Sequence, residues 1–251
     1  MKKSHILMYI VIILIIFILC IKCYEKNKSI ETLEKIEENK ENTISTQNEI
    51  INEQIDIDNY INQWELLLVN SENKIPEDYN IELEKIEANQ YVDTRIAKDL
   101  RNMLNDARKV GLDPIICSSY RTIEKQTELY NKKVKEYIKR GYGNKKAKEI
   151  AAKWVAIPGT SEHQTGLAVD IVSKKYQILN ERQADTETQQ WLMENCYDYG
   201  FILRYPKEKN NITKITYEPW HYRYVGRENA KKIKEKNLCL EEYIQYLKNG
   251  R

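Results

Sequence analysis

The 251-residue chain is 41% hydrophobic and 31% charged, enough apolar side chains for one full core and too few for two. Its formal charge of +2 is unevenly spread, with +3 over residues 1–24, −6 over residues 25–58 and +5 over the remainder. That mild basicity suits a carboxylate ligand or an anionic envelope and falls far short of a nucleic-acid-binding signature, so no nucleic-acid partner is expected. Cys20 and Cys23 belong to the N-terminal apolar region, and the remaining Cys117, Cys196 and Cys239 are an odd number without paired spacing, which is no disulfide framework; Cys117 and Cys196 read as small buried hydrophobes.

Lys2 and Lys3 precede Ile6–Ile21, sixteen residues without a charge, closed by Lys22. As a helix they cover about 24 Å, short of the roughly 30 Å hydrocarbon core unless His5 and the Lys22 stem extend it. No small-x-small cleavage motif follows, and Leu19 and Lys22 stand where a lipoprotein would need a small residue before Cys20 or Cys23. Residues 1–24 are therefore expected to be an uncleaved N-terminal transmembrane anchor. With the lysines retained inside, the remainder lies outside the cytoplasm, as a single-pass protein of the cell membrane. Residues 25–58 hold ten acids and four lysines, no glycine or proline, and no sustained heptad, which predicts an acidic stalk, helical or disordered.

The globular domain is expected over 59–251. WELLLVN reads as a short buried strand, ended by the turn chemistry of NSENKIP. Asp93 or Thr94 can cap a helix with the apolar stripe Ile96, Leu100, Met103, Leu104, Ala107 and Val110, closed by Gly111. LDPIICSSYR predicts a strand leading into a helix over Ile123–Lys139, with Leu129 and Val134 on its buried side. LAVDIV is a strand, TETQQWLMENCYDYG a helix closed by Gly200, and FILRY and ITYEPWHYRYV two further strands, before two short C-terminal helices. Strands and helices interleave without a βαβ period, which predicts an α+β fold with a small antiparallel sheet and flanking helices.

Two of the three histidines lie in this domain, each in a motif with an acidic neighbour. His163 sits in PGTSEHQTGLAVDI, seven residues before Asp170, and His221 sits in EPWHYRYVG, three after Glu218. Asp170, within an apolar strand, needs a positive partner when ionised. Taken singly, a salt bridge to arginine accounts for Asp170 and a hydrogen-bonded turn role accounts for His163. Taken together, two imidazoles and one carboxylate make a His2Asp set suited to Zn²⁺, with the fourth tetrahedral position left open as in catalytic sites. Such a site also needs a base, and Glu218 is the candidate. In a regular strand positions 218 and 221 face opposite ways, so Pro219 is expected to introduce a bulge or bend. Arg121 lies where SSYR becomes a helix, with Ser118, Ser119 and Gln126 near it. It can clamp a substrate carboxylate or stabilise an oxyanion, the alternative being an ion pair with Asp170 or a surface helix charge.

SxHxxGxAxD followed at a distance by ExWH, with LLLVN, IPEDYN, SSYR and WLMENCYDYGFILRYP around them, resembles the VanY-type D-alanyl-D-alanine carboxypeptidases of the M15B zinc metallopeptidases. The resemblance covers essentially the whole domain. It implies a hedgehog/DD-peptidase-like fold, Zn²⁺ on His163, Asp170 and His221, Glu218 as general base, and Arg121 as the transition-state or carboxylate arginine. It also implies Ser119, Gln126 and Ser161 as substrate-binding residues, and a peptidoglycan stem peptide or its precursor as substrate, cut at its C-terminal D-alanine. One departure is Lys214, which stands where a glycine is expected before ExWH. Two other functions remain open: an L,D-carboxypeptidase on tetrapeptide stems or a dipeptidase, and a non-catalytic zinc-containing wall-binding module, against which Glu218 argues.

Overall fold

The computed structural model describes residue 14, residues 16–28, residues 40, 43, 46, 47, 51 and 52, and residues 55–249. Residues 16–28 are helical, and among the described residues no helix is long and apolar enough to cross a membrane. The anchor expected over residues 1–24 and the stalk expected over residues 25–58 lie in large part outside the described residues. From Asn59 onward the chain forms one compact unit.

That unit is α+β. A hairpin of β1 (Leu83–Glu87) and β2 (Gln90–Asp93) leads directly into α1 (Thr94–Lys109). Then follow β3 (Pro114–Ser118), α2 (Ile123–Lys139), α3 (Asn144–Ala151), a 3₁₀ turn over Glu162–Thr165, and β4 (Ala168–Ser173). The chain continues through α4 (Glu187–Asn195), β5 (Phe201–Leu203), α5 (Asn210–Thr213), β6 (His221–Tyr224), α6 (Arg227–Lys236) and α7 (Leu240–Lys248). The main sheet has the order β3-β4-β6-β5 with every pair antiparallel. Because β4 and β6 are its two central strands, whatever they carry at their facing ends is held by hydrogen bonds on both sides.

The expected elements mostly form where the pattern placed them. Asp93 caps α1, its side chain accepting from Arg95 N at 2.9 Å, and the stripe from Ile96 to Ala107 is buried against Ile116, Val169, Ile171 and Tyr222 of the sheet. Thr122 caps α2 in the same way, accepting from Lys125 N. A second apolar cluster joins α6 and α7 to Ile202 and Val225 at the β5 side, with Leu66 packed among them. The helix α3 was not anticipated, since its eight residues are mostly polar; Ala147 and Ala151 bury it, with Ile150 packed beside them, against Val134 and Tyr137 of α2. The β1–β2 hairpin was likewise not foreseen.

Four expectations need correction. WELLLVN is not a strand: Trp64–Leu66 is a 3₁₀ turn, and the carbonyls of Glu65 and Leu67 accept from the Arg223 guanidinium rather than from a neighbouring strand. Val110 is 61% exposed because it follows the last helical residue and has left the stripe. The last strand is only four residues, the chain before it being turned at Glu218. Cys117 is exposed: the β3–β4 register slips between Ile116 and Ser118, so Cys117 is the extra residue of a bulge on an edge strand. Cys196 is fully buried in the main core, as expected.

Two backbone positions with positive φ bear on the site. Gly166 (φ 70°) turns the chain between the 3₁₀ turn and β4, and a Cβ there would lie 2.9 Å from the Asp93 backbone nitrogen and 2.4 Å from Ile81. Lys214 (φ 62°), the departure from the expected glycine, ends α5 in the same left-handed conformation. The glycine pattern at that place therefore has a conformational cause, which lysine meets at a cost of about 1–2 kcal/mol. Gly166→Ala should destabilise the protein by about 3 kcal/mol, combining left-handed strain with the backbone clash. Lys214→Gly should stabilise it by about 0.5–1 kcal/mol, the relieved strain exceeding the added chain entropy. Urea unfolding of both variants checks the pair, and an unchanged midpoint in Gly166→Ala would contradict the strain assigned there.

Candidate metal centre

The sheet register builds the centre. Asp170 and His221 are direct partners across β4 and β6, and His163 reaches the same point from the 3₁₀ turn just before β4. The ligand atoms of His163, Asp170 and His221 lie within 4.8 Å of one another, and all three residues are buried. Asp170 Oδ1 is the shared pivot, 3.3 Å from His163 Nε2 and 3.0 Å from His221 Nδ1. The two imidazoles stand edge to face, 4.8 Å between centroids. His163 Nδ1 lies 2.9 Å from the Ser119 carbonyl, which can only accept, so Nδ1 carries the proton and Nε2 is the nitrogen left to ligate a metal beside Asp170. Two imidazole nitrogens and a carboxylate oxygen converging in a buried site are the donor set that Zn²⁺ takes, and the residues fit that ion.

Glu218 closes one side. The segment Glu218–His221 is a turn rather than a strand, with His221 N donating to Glu218 O at 3.2 Å, and it brings Glu218 Oε2 to 3.8 Å from His221 Nδ1. Burial pushes the Glu218 carboxyl up to about 8, with Asp170 and Glu162 adding to the effect and the His221 and Arg121 charges opposing it. Burial lowers His163 to about 4, with the Arg121 charge acting the same way. Burial also opposes charge on His221, but the hydrogen bond to Asp170 and the nearby carboxylates of Glu162 and Glu218 outweigh it and raise that imidazole to about 9. Asp170 stays well below the usual carboxylate range despite burial, because His163, His221 and Arg121 surround it.

Arg121 realises the ion-pair alternative and lines the cleft as well. Nη2 donates to Asp170 Oδ2 at 2.8 Å, Nε to Ser118 Oγ at 2.8 Å and Nη1 to Gln126 Oε1 at 3.4 Å. These use three of its five N–H donors, and two remain for a ligand. Asp170 is thereby divided, Oδ1 facing the imidazoles and Oδ2 held by the guanidinium. Ser161 lies in the cleft wall. Ser119 does not: its hydroxyl donates to Gln90 Oε1 and accepts from Tyr91 N, so its part in the site is the carbonyl that orients His163. Gln126 is fully buried, spanning from Arg121 to the Ala156 carbonyl, to which Nε2 donates at 2.7 Å. Both side chains therefore make protein contacts, Ser119 to Gln90 and Tyr91 and Gln126 to Arg121 and Ala156.

The site opens into a cavity of about 470 Å³ that runs from the two histidines past Ser161 to Trp154 and Leu129, with Lys132 and Lys133 at its α2 side. Behind it lies a group that sequence reasoning missed. Glu162 is fully buried, its Oε1 accepting from Arg204 Nε at 2.7 Å and Arg223 Nη1 at 2.9 Å. Arg204 also makes a two-pronged pair with Glu241 of α7. Burial opposes ionisation of Glu162, and the two guanidinium charges overcome it and hold the carboxyl well below its usual range. The only sequence signal was a glutamate next to a candidate ligand, because its partners lie 42 and 61 residues away.

Known proteins agree with this geometry. Residues 89–227 match the family model VanY, D-alanyl-D-alanine carboxypeptidase. A D-alanyl-D-alanine carboxypeptidase of Enterococcus faecalis (strain ATCC 700802 / V583) is 46% identical over 202 residues, 80% of this chain and 70% of that protein. The crystal structure of a vancomycin resistance D,D-pentapeptidase VanY variant in complex with Zn(II) is 48% identical, with a TM-score of 0.67 over 72% of this chain and 99% of the other. The LdcB LD-carboxypeptidase structure is 40% identical, with a TM-score of 0.60 over 71% of this chain and 84% of the other. With the family model spanning more than half its residues, the chain belongs to the VanY family of D-alanyl-D-alanine carboxypeptidases.

Proposed function

We propose that this chain is a zinc-dependent D,D-carboxypeptidase that removes the C-terminal D-alanine from peptidoglycan stem peptides, with His163, Asp170 and His221 as metal ligands. The observation that carries this reading is the convergence of those three ligand atoms beside Glu218, a carboxyl raised to about 8 in the same cleft. Zinc held there supplies Lewis acidity toward the scissile carbonyl and makes water nucleophilic near neutral pH. Glu218 takes the proton of the attacking water and returns it to the departing amine of D-alanine. Burial raises the metal-free carboxyl, and the charge of zinc bound beside it would favour the ionised form that takes the proton, so the two opposing influences suit a group that must first accept and then return it. The two free N–H groups of Arg121 bind the substrate's terminal carboxylate or the oxyanion that develops on the carbonyl, and Ser161 lines the approach. No covalent acyl-enzyme is required.

An L,D-carboxypeptidase acting on tetrapeptide stems is the second reading, favoured by the likeness to LdcB. A non-catalytic wall-binding module is less consistent with a buried carboxyl beside the metal ligands. For the whole protein, the uncharged run Ile6–Ile21 behind Lys2 and Lys3 supports a single-pass anchor, with the acidic stretch of residues 25–58 spacing an extracytoplasmic catalytic domain from the membrane.

Two experiments test the enzyme. The purified chain, zinc-loaded, should release one alanine from stem pentapeptide as followed by mass, and excess chelator should abolish the release. Release from tetrapeptide instead would move the enzyme to the L,D class. Glu218→Gln should lower kcat by roughly 10²- to 10⁴-fold while bound zinc, measured by atomic absorption, stays stoichiometric. His163→Ala should lose both zinc and turnover. Near-normal turnover in Glu218→Gln would remove it from the role of base.

A further inference from the structure

We propose that Glu162 is a positioning residue for the metal centre: its Oε2 accepts from Nε2–H of His221 and so holds that imidazole with Nδ1 turned toward Asp170 and the metal. The inference rests on zinc occupying the His163, Asp170 and His221 site as proposed above. Among the described residues, two buried side-chain polar atoms have no hydrogen-bond partner, Glu162 Oε2 and His221 Nε2. They face each other at 3.4 Å. Leaving either without the other would strand a desolvated polar group, so their juxtaposition assigns each its partner. The opposite ring nitrogen, Nδ1, is the one 3.0 Å from the Asp170 pivot. Tyr205 packs on the ring at 4.8 Å between centroids and is itself covered by the Arg204 guanidinium, so the imidazole has little freedom to turn over.

The two ligand histidines thus use opposite nitrogens, and each choice has a separate cause. His163 is set by a backbone carbonyl at Nδ1 and offers Nε2, whereas His221 is set by a carboxylate at Nε2 and offers Nδ1. A backbone carbonyl keeps its polarity under any side-chain substitution, whereas Glu162 can be inverted by a single isosteric change. Arg204 and Arg223 both donate to Oε1. In Glu162→Gln they hold the amide oxygen at that place, which leaves the amide NH₂ facing His221 Nε2. A donor there favours the imidazole tautomer with its proton on Nδ1, the nitrogen the metal needs.

The test uses the full-length chain labelled with ¹⁵N-histidine, in which three histidines give three sets of signals. In the zinc-loaded wild type, His221 should carry metal on Nδ1 and a proton on Nε2, and His163 the reverse. Glu162→Gln should weaken zinc binding by about 10- to 100-fold in chelator competition, the range expected for a group that orients a metal-bound histidine. It should also shift the Nε2 signal of the zinc-bound His221, whose N–H loses its carboxylate acceptor. Glu241→Gln, which removes the other carboxylate on Arg204 without touching His221, should lower stability and leave zinc affinity within twofold. A folded Glu162→Gln with wild-type zinc affinity, or equal losses of affinity in both variants, overturns the assignment. Should Glu162→Gln fail to fold, the wild-type spectrum decides: metal on His221 Nε2 overturns the inference, and metal on Nδ1 opposite a protonated Nε2 supports it. Zinc that leaves both domain histidines unshifted defeats the metal-site reading itself, and this inference with it.

Discussion

The buried carboxylate of Glu162 is the constraint around which the domain is assembled. A charge with no solvent access needs compensation at each oxygen, and here it comes from three groups, Arg204 and Arg223 at Oε1 and His221 at Oε2. Arg204, just after β5, and Arg223, within β6, both converge on Oε1. Arg223 then reaches outward to the carbonyls of Glu65 and Leu67, and Arg204 to Glu241 of α7. One carboxylate thus joins the segment entering the domain, two strands of the sheet and the closing helix. The segment 64–67 consequently finds its hydrogen bonds in an arginine side chain instead of a strand. Removing any one member would leave a buried charge unmatched, a change far more destabilising than the net worth of the intact group.

The same carboxylate stands beside the candidate metal centre, 3.4 Å from His221 Nε2, and this ties scaffold to site. On the front side, Asp170 is shared between the imidazoles and Arg121, while Arg121 is fixed by Ser118 and Gln126. The bulge at Cys117 has a part in this: by inserting one residue in β3 it sets Ser118 opposite Asp170 and turns Ser119 so that its carbonyl meets His163. Much of what the fold supplies is orientation. Few groups in the cleft are free to move, and Glu218 is raised mainly because burial withholds water from it.

Legibility in the sequence followed range. Helices α1 and α2 could be placed from an apolar stripe and a capping Asp or Thr, because both signals are local. The candidate metal set was readable because histidine is rare in this chain and both copies after residue 58 sit in motifs with a carboxylate. Failures came where the deciding partner was distant. Leu66, Leu67 and Leu68 resemble a strand until Arg223 claims the backbone. Cys117 resembles a core residue until the register slip exposes it. Ser119 and Gln126 carry polar groups near the right place, and only the folded structure shows which protein groups they contact.

By itself the sequence determined the residue types of the site, the α+β alternation, and the family to which the motifs belong, since these depend on identity and short spacing along the chain. Tertiary structure alone decided which nitrogen of each histidine is offered, which oxygen of Asp170 faces them, and that Arg121 holds Asp170 while also lining the cleft. It alone revealed Glu162 as the hub of a buried ionic network. The physical reason is that hydrogen-bond direction and burial are set by partners brought together from 42 to 61 residues away, and no local pattern encodes them.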